Sequence, residues 1–183
     1  MKKNKRKEKM TILKVFEVPS PVLEQKALPV DVVTPEIKQV LADMLETMYA
    51  THGVGLAGNQ VGLLQRLVVM DCAGADEQPN PIKMVNPEII EKSEELVLHN
   101  EGCLSIPREY ADVERHEWVI VQYLDENGKQ QTLKATGLLS ICVQHETDHL
   151  DGILFIDHLS PLKRKRVLKH LEKRRRKAAE AEL

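Results

Sequence analysis

The segment QHETDHL, at residues 144 to 150, combines residue types that could bind a metal ion and catalyse hydrolysis. His145 and His149 are four residues apart, so on an α-helix their imidazoles lie on one face, about one turn from each other. Both can therefore bind the same ion. Glu146, next to the first histidine, can accept a proton from a water on that ion. The pattern predicts a metal-dependent hydrolase with Glu146 as its general base.

A catalytic metal site usually has three protein ligands and one water, so a third ligand is needed. One zinc-protease pattern would place a third histidine at residue 155, but Phe155 is there. The downstream glutamates that could serve instead lie in or after a basic helix, at Glu172, Glu180 and Glu182. Upstream, the glycine-containing segment EGCLSIP offers Cys103. A free cysteine is more often a small buried hydrophobe, but beside a helix that lacks its third ligand we favour Cys103 as the ligand.

Three segments together resemble the peptide deformylase family: GVGLAGNQ at 53 to 60, EGCLS at 101 to 105 and QHETDHL at 144 to 150. They follow the order and the separations of that family, and the resemblance extends from about Met10 to the C-terminal helix. It implies an enzyme that removes the formyl group from the N-terminal formylmethionine of newly synthesised proteins. It also implies one Fe²⁺ per chain, which Zn²⁺, Ni²⁺ or Co²⁺ can replace in preparations.

The resemblance assigns a role to individual residues of these segments. The metal would have three protein ligands, namely Cys103, His145 and His149. Metal-bound water would attack the formyl carbon with Glu146 as general acid/base, while Gln60 and the backbone N–H of Leu104 stabilise the oxyanion. The substrate would be bound by the backbone of Gly55 and, around its methionine side chain, by Val54, Leu138, Ile141 and Cys142.

Two residues depart from the family pattern. The family usually has Ala-Ala where this chain has Ala57-Gly58, so we expect a more flexible loop before Gln60. An arginine that helps to bind substrate often follows the second motif, and Tyr110 stands at that position. These departures bear on loop rigidity and substrate affinity, because every chemical group of the implied mechanism is present.

Three helices are predicted to position these residues. Thr34 can cap the first, which has an apolar stripe and should end near Gly53. The second runs from about 136 to 150 and carries HETDH. The third opens at Ser160 and has an apolar stripe flanked by the basic clusters KRKR and KRRRK.

Short apolar, β-prone runs predict five strands, at Leu67 to Met70, Met84 to Ile90, Leu96 to Leu98, Trp118 to Leu124 and Lys129 to Ala135. The last two are joined by the turn sequence Asp-Glu-Asn-Gly, which indicates a hairpin. Strands and helices do not alternate, so a doubly wound parallel sheet is disfavoured. We expect an α+β fold with short antiparallel sheets packed around a central helix carrying HETDH, and with a C-terminal basic helix.

Length and composition favour one soluble domain: 183 residues, 42% hydrophobic and 30% charged. We expect residues 1 to 10 to be a disordered basic tail, residues 11 to 159 the catalytic domain, and residues 160 to 183 a C-terminal helix of the same domain. No signal peptide or membrane span is predicted, and three cysteines do not suggest a disulfide framework. We therefore expect a cytoplasmic protein that does not bind membranes, and we expect it to be a monomer. The resemblance implies a bacterial source in preference to an organellar one.

The basic ends flank an acidic body, which suggests contact with a polyanion. Residues 160 to 177 resemble a helix through which some bacterial deformylases dock on the ribosome, and the expected substrates are N-formylmethionyl nascent peptides. Two other hypotheses compete with this one. A zinc endopeptidase shares the His-Glu-x-x-His pattern but lacks its usual third ligand here. An RNA-binding or ribosome-binding protein with a relict metal site would explain the basic ends alone.

Overall fold

The structure is a computed structural model that describes residues 11 to 74 and 76 to 181. The basic tail predicted at residues 1 to 10 lies outside the described residues. Within them the chain forms three α-helices and seven strands, in the order α1 (Pro35–Ala50), β1 (Gly55–Ala57), β2 (Leu67–Met70), β3 (Ile82–Lys92), β4 (Leu96–Cys103), β5 (Ile106–His116), β6 (Trp118–Leu124), β7 (Gln130–Thr136), α2 (Gly137–Leu150) and α3 (Pro161–Ala181).

The strands form two antiparallel sheets, which confirms the predicted α+β class. One sheet has five strands in the order β1-β2-β3-β6-β7, and the other is the hairpin β4-β5. The predicted hairpin joins β6 to β7, with Leu124 opposite Gln130. In its turn the carboxylate of Asp125 accepts hydrogen bonds from the backbone N–H groups of Asn127 and Lys129.

The β4-β5 hairpin is where the structure differs most from the prediction. We expected a strand only from Leu96 to Leu98, but β4 continues to Cys103, and no strand was expected where β5 lies. Exposed charged residues alternate with more buried ones along β5. Because the exposed positions of β5 are mostly polar, this half-buried strand contains no continuous apolar run from which it could be predicted. The consequence is functional, because Cys103 ends a strand that its partner holds in register.

Helix α1 begins and ends as predicted. The hydroxyl of Thr34 accepts a hydrogen bond from the N–H of Ile37, and Met48 accepts one from Gly53 after the helix has ended. His52 takes the left-handed conformation at this end, with φ of 57°. The predicted apolar stripe is core: among its buried members are Ile37, Leu41, Met44 and Met48.

Helix α2 packs against β1, β2, β6 and β7 and is buried along most of its length. Helix α3 packs against β5 through Val167 and Leu171, which are buried in a cluster with Phe155. None of the helices in the described ranges has an apolar stretch long enough to cross a bilayer. The fold thus places HETDH in the interior and leaves the basic side chains of α3 at the surface.

Candidate active site

Three potential metal ligands converge between α2 and the end of β4. One donor atom from each of Cys103, His145 and His149 lies within 4.8 Å of the others. The two histidines are one helical turn apart, and their ring centroids are separated by 4.9 Å. The sulfur of Cys103 lies 3.2 Å from Nε2 of His149. The structure thus brings together the three residues that the sequence predicts as metal ligands.

The hairpin turn after β4 brings Cys103 to the helix. Cys103 is opposite Ile106, and Leu104 and Ser105 form the two-residue turn between them. The pairing is irregular between Gly102 and Cys103, which redirects the chain at this point. Leu104, whose backbone N–H we predicted to be an oxyanion donor, lines the pocket beside Cys103.

Gln60 is held beside the sulfur. Its Oε1 accepts a hydrogen bond of 2.9 Å from the N–H of Ala57, so its Nε2 faces the other way. Nε2 donates to Oγ of Ser105 at 3.2 Å and lies 3.5 Å from the sulfur of Cys103. Gln60 is 1% exposed. These contacts fix both ends of the amide, although the preceding glycine led us to expect a loose loop.

Gly58 is required by close packing. A Cβ at this position would lie 2.6 Å from the carbonyl oxygen of Gln65 and 2.8 Å from that of Leu63. Both atoms belong to the backbone, so neither can move as a flexible side chain would. In this chain the departure from Ala-Ala is a fitted feature of the turn that carries Gln60.

A buried network of charges holds the ligand His145. Its Nδ1 lies 2.8 Å from Oε2 of Glu101, so Nε2 is the nitrogen left to bind a metal. Arg115 donates to both oxygens of Glu101, at 2.7 and 3.1 Å, and to Asp148 at 2.6 Å. His158 completes the network with a contact of 2.7 Å to Asp148. The burial of Glu101 would raise its pKa, but its bonds to His145 and Arg115 outweigh burial and lower that pKa to about 2.

The catalytic base predicted from the sequence is buried next to this network. Glu146 is 4% exposed, and its Oε2 has no hydrogen-bond partner among the described residues. Burial raises the pKa of Glu146 to about 7. Gly55 packs directly against it, because a Cβ there would collide with the carboxylate of Glu146 and with the sulfur of Cys142. Only glycine allows strand β1 to approach the carboxylate so closely.

These residues line a cavity of about 480 Å³. The residues that we predicted to bind substrate all lie on its wall, at Val54, Gly55, Leu138, Ile141 and Cys142. The predicted catalytic residues and two of the ligands line it as well, at Gln60, Leu104, Glu146, Cys103 and His145. His149 is 1% exposed and contacts the cavity through Cys103 rather than directly.

The arrangement fits a divalent metal ion. One sulfur and two imidazole nitrogens suit a soft or borderline cation such as Zn²⁺, Fe²⁺, Co²⁺ or Ni²⁺. The pKa of His149 is well below its usual value, mainly because of burial, which favours the neutral imidazole that binds metal. At His145 burial is outweighed by hydrogen bonds with Cys103 and Glu101, which raise the pKa of that imidazole. Three protein ligands, two of them on the wall of a cavity, are also the set expected of a catalytic rather than a structural site.

Several residues around the cavity were not predicted. Glu101 stands two residues before Cys103, and in a strand such residues face the same side, so recognition of β4 would have indicated it. The segment from 107 to 110 also lines the cavity, and it includes Tyr110, which stands where the family often has a substrate-binding arginine.

Three potential metal ligands beside a cavity with a buried carboxyl group are the arrangement expected of a metal-dependent hydrolase. The family model of polypeptide deformylase matches residues 12 to 165. The chain belongs to this family, and it is therefore a hydrolase.

Curated relatives and solved structures agree. A peptide deformylase of Agrobacterium fabrum is 48% identical over 164 residues, covering 90% of this chain and 96% of the relative. The crystal structure of peptide deformylase from Ehrlichia chaffeensis matches with a TM-score of 0.89 and 36% identity, over 92% of this chain and 99% of that chain. A Met-Ala-Ser bound peptide deformylase of Acinetobacter baumannii matches with a TM-score of 0.79 and 35% identity, over 82% of this chain and 100% of that chain.

Proposed function

We propose that the protein removes the formyl group from N-terminal formylmethionine of nascent peptides, with a divalent ion held by Cys103, His145 and His149. The observation that carries this proposal is the convergence of these three donors beside a buried Glu146. Membership of the polypeptide deformylase family supports the substrate class. The neighbour that holds Met-Ala-Ser supports a peptide with N-terminal methionine as the product.

The protein's own residues would divide the proton transfers and the charge. When bound, the divalent ion supplies Lewis acidity, which lowers the pKa of water and polarises a carbonyl oxygen. Glu146 accepts the proton of the attacking water and later gives it to the departing amine. A carboxyl group with a pKa of about 7 can act in both directions near neutral pH.

Gln60 and the N–H of Leu104 would donate to the oxygen of the formyl group as negative charge develops on it. Nε2 of Gln60 already lies beside Cys103, and the bond to Ala57 keeps the amide in that orientation. Fixed donors of this kind each stabilise a transition state by roughly 3 kcal/mol. The apolar wall of the cavity would hold the methionine side chain against Val54, Leu138, Ile141 and Cys142, and Gly55 would bind the peptide backbone.

We propose Fe²⁺ as the native ion. The donor set also accepts Zn²⁺, Ni²⁺ and Co²⁺, so metal identity depends on availability as well as on geometry. Metal analysis of protein purified without oxygen tests this point. About one iron per chain is expected, and stoichiometric zinc with little iron would contradict it.

The activity itself is tested with formyl-Met-Ala-Ser and oxygen-free protein loaded with Fe²⁺, Ni²⁺ or Co²⁺. We expect formate release from this peptide and no acetate release from acetyl-Met-Ala-Ser, because the larger acyl group presents a methyl where the formyl hydrogen was. Absence of formate with all three ions would contradict the proposal. Cleavage of internal bonds in unmodified peptides would favour the zinc-endopeptidase alternative instead.

We further propose that residues 160 to 177 dock on ribosomal RNA. Helix α3 belongs to the same domain as residues 11 to 159, because Val167 and Leu171 are buried against it, and its exposed basic residues would contact phosphates. The double variant Lys165→Glu with Lys169→Glu should bind ribosomes more weakly and with a lower salt dependence. Lys92→Glu, an exposed control on β3, should not. Equal ribosome affinity of both variants would contradict docking through α3.

We also propose that the protein is a monomer in the cytoplasm. Light scattering of the purified protein tests the monomeric state, and a mass of two or more chains would contradict it.

A further inference from the structure

Helix α3 contacts one wall of the cavity from outside. This wall is the rim segment, residues 107 to 110, at the start of β5. Arg174 of α3 forms an ion pair with Glu109 of the rim segment. Nδ1 of His170, one helical turn earlier, lies 3.7 Å from the other carboxylate oxygen of Glu109. The carboxylate of Glu109 is therefore held between two basic side chains of the helix.

Arg174 also contacts the backbone of the rim segment. Its Nη1 donates a hydrogen bond of 3.3 Å to the carbonyl oxygen of Arg108. Arg108 has φ of 62°, in the left-handed region that residues other than glycine and asparagine rarely adopt. Such a conformation persists only where surrounding contacts impose it. The bond from Arg174 acts on the strained residue itself.

The opposite side of the rim segment rests on β4. Tyr110 is paired with Gly102, and a Cβ at Gly102 would meet the ring of Tyr110. The ring thus covers the glycine that precedes Cys103. The rim segment is held on one side by this packing and on the other by α3.

We propose that Arg174 is a positioning residue for substrate binding, because it keeps the rim segment in the conformation that shapes the cavity. This inference rests on the proposed function, since the ligand is a formylmethionyl peptide. If the segment is released, only a fraction of molecules present the binding conformation, and KM rises by the inverse of that fraction. Glu146 and the three metal donors lie on α2 and at the end of β4, so kcat is unaffected.

The test compares Arg174→Ala with Arg176→Ala, which removes the same side chain two residues away at an exposed position of the same helix. With formyl-Met-Ala-Ser and no ribosomes, we expect Arg174→Ala to raise KM about 5-fold and to change kcat less than about 2-fold, as for a binding conformation populated in roughly a fifth of the molecules. Arg176→Ala should change neither. Hydrogen exchange of the rim segment should be faster in Arg174→Ala alone.

A second variant covers the case in which Arg174→Ala is poorly folded. Glu109→Gln removes the negative charge that pairs with Arg174 but keeps the bond from Arg174 to Arg108, so it should also raise KM, though by less than Arg174→Ala does. The double variant should be no worse than Arg174→Ala, because both changes remove the contact between Glu109 and Arg174. An unchanged KM and unchanged hydrogen exchange in Arg174→Ala or in Glu109→Gln would overturn the inference, as would a fall in kcat alone. Lack of formate release by the unmodified protein would instead refute the proposed function, and the hydrogen-exchange result would stand apart from it.

Discussion

The inner wall of the cavity, where Glu101 contacts His145, and the rim segment are each held by an arginine paired with a carboxylate. The surroundings of these two arginines differ. The side chain of Arg115 is 4% exposed and binds Glu101 and Asp148 in the interior. The side chain of Arg174 is 37% exposed and binds Glu109, whose side chain is 13% exposed, at the rim of the cavity. Removal of one partner from a buried pair leaves the other charge without compensation in a poorly solvated place. When a more exposed pair is broken, water solvates the remaining charge. The first pair should fix the fold around the ligands, and the second should adjust the shape of the cavity.

Loss of the buried arginine is the largest effect that this comparison predicts. Arg115→Ala leaves the buried carboxylate of Glu101 and the partly buried one of Asp148 without this cation, and it should lower the free energy of unfolding by about 3 to 5 kcal/mol. Arg174→Ala should lower it by about 1 kcal/mol or less. Urea unfolding of both variants without added metal measures the difference directly. Equal destabilisation of the two variants would break the comparison.

Close backbone packing around Gln60 is the next strongest constraint on the inner wall. Gly58→Ala matches the usual family sequence, yet its methyl group would press against two carbonyl oxygens. We therefore expect it to lower the free energy of unfolding by about 1 to 3 kcal/mol. At Gly74 a Cβ would make only ordinary contacts, the nearest at 3.6 Å from Glu77, so Gly74→Ala is the matched control and should be nearly neutral. A gain in stability or activity in Gly58→Ala would show that the turn relaxes easily.

The smallest predicted effect is that of salt, which should weaken the ion pair at the rim segment more than the buried network around Glu101. Added salt screens an exposed ion pair more than a buried one, so about 0.5 M NaCl should raise KM less than about 2-fold, through the pair of Glu109 with Arg174. The KM of Arg174→Ala should not respond, because the pair is already absent. Steady-state kinetics on an uncharged formylated peptide amide tests this without screening the substrate. A similar response in both proteins would assign the salt effect elsewhere.

The chemistry could be predicted from the sequence because it is local. The spacing of His145 and His149 is set by the pitch of one helix, and Glu146 stands between them. Cys103 was harder, since it is separated by more than 40 positions from the histidines, as its contact with His149 across 46 residues illustrates. Its assignment needed both the absence of a third ligand and the resemblance of three segments to one family.

The supports of the site could not be predicted in the same way. Arg115 lies on a strand whose charged residues conceal its period of two, and its partners come from β4 and α2. The bond from Arg174 to Arg108 spans 66 positions and depends on how α3 lies on β5. Such contacts follow from tertiary packing, for which single-residue types give no signal. The same applies to Gly58, whose neighbours only the folded turn defines.

The most direct test of the central claim is the metal content of Glu146→Gln, measured together with its formate release. The ligands and their supports are intact in this variant, so about one ion per chain should remain bound. Formate release should fall by about 100-fold to 10,000-fold, since a general acid/base contributes a factor of that size. Loss of the metal would place Glu146 among the groups that hold it. Retention of both metal and activity would show that another group transfers the proton.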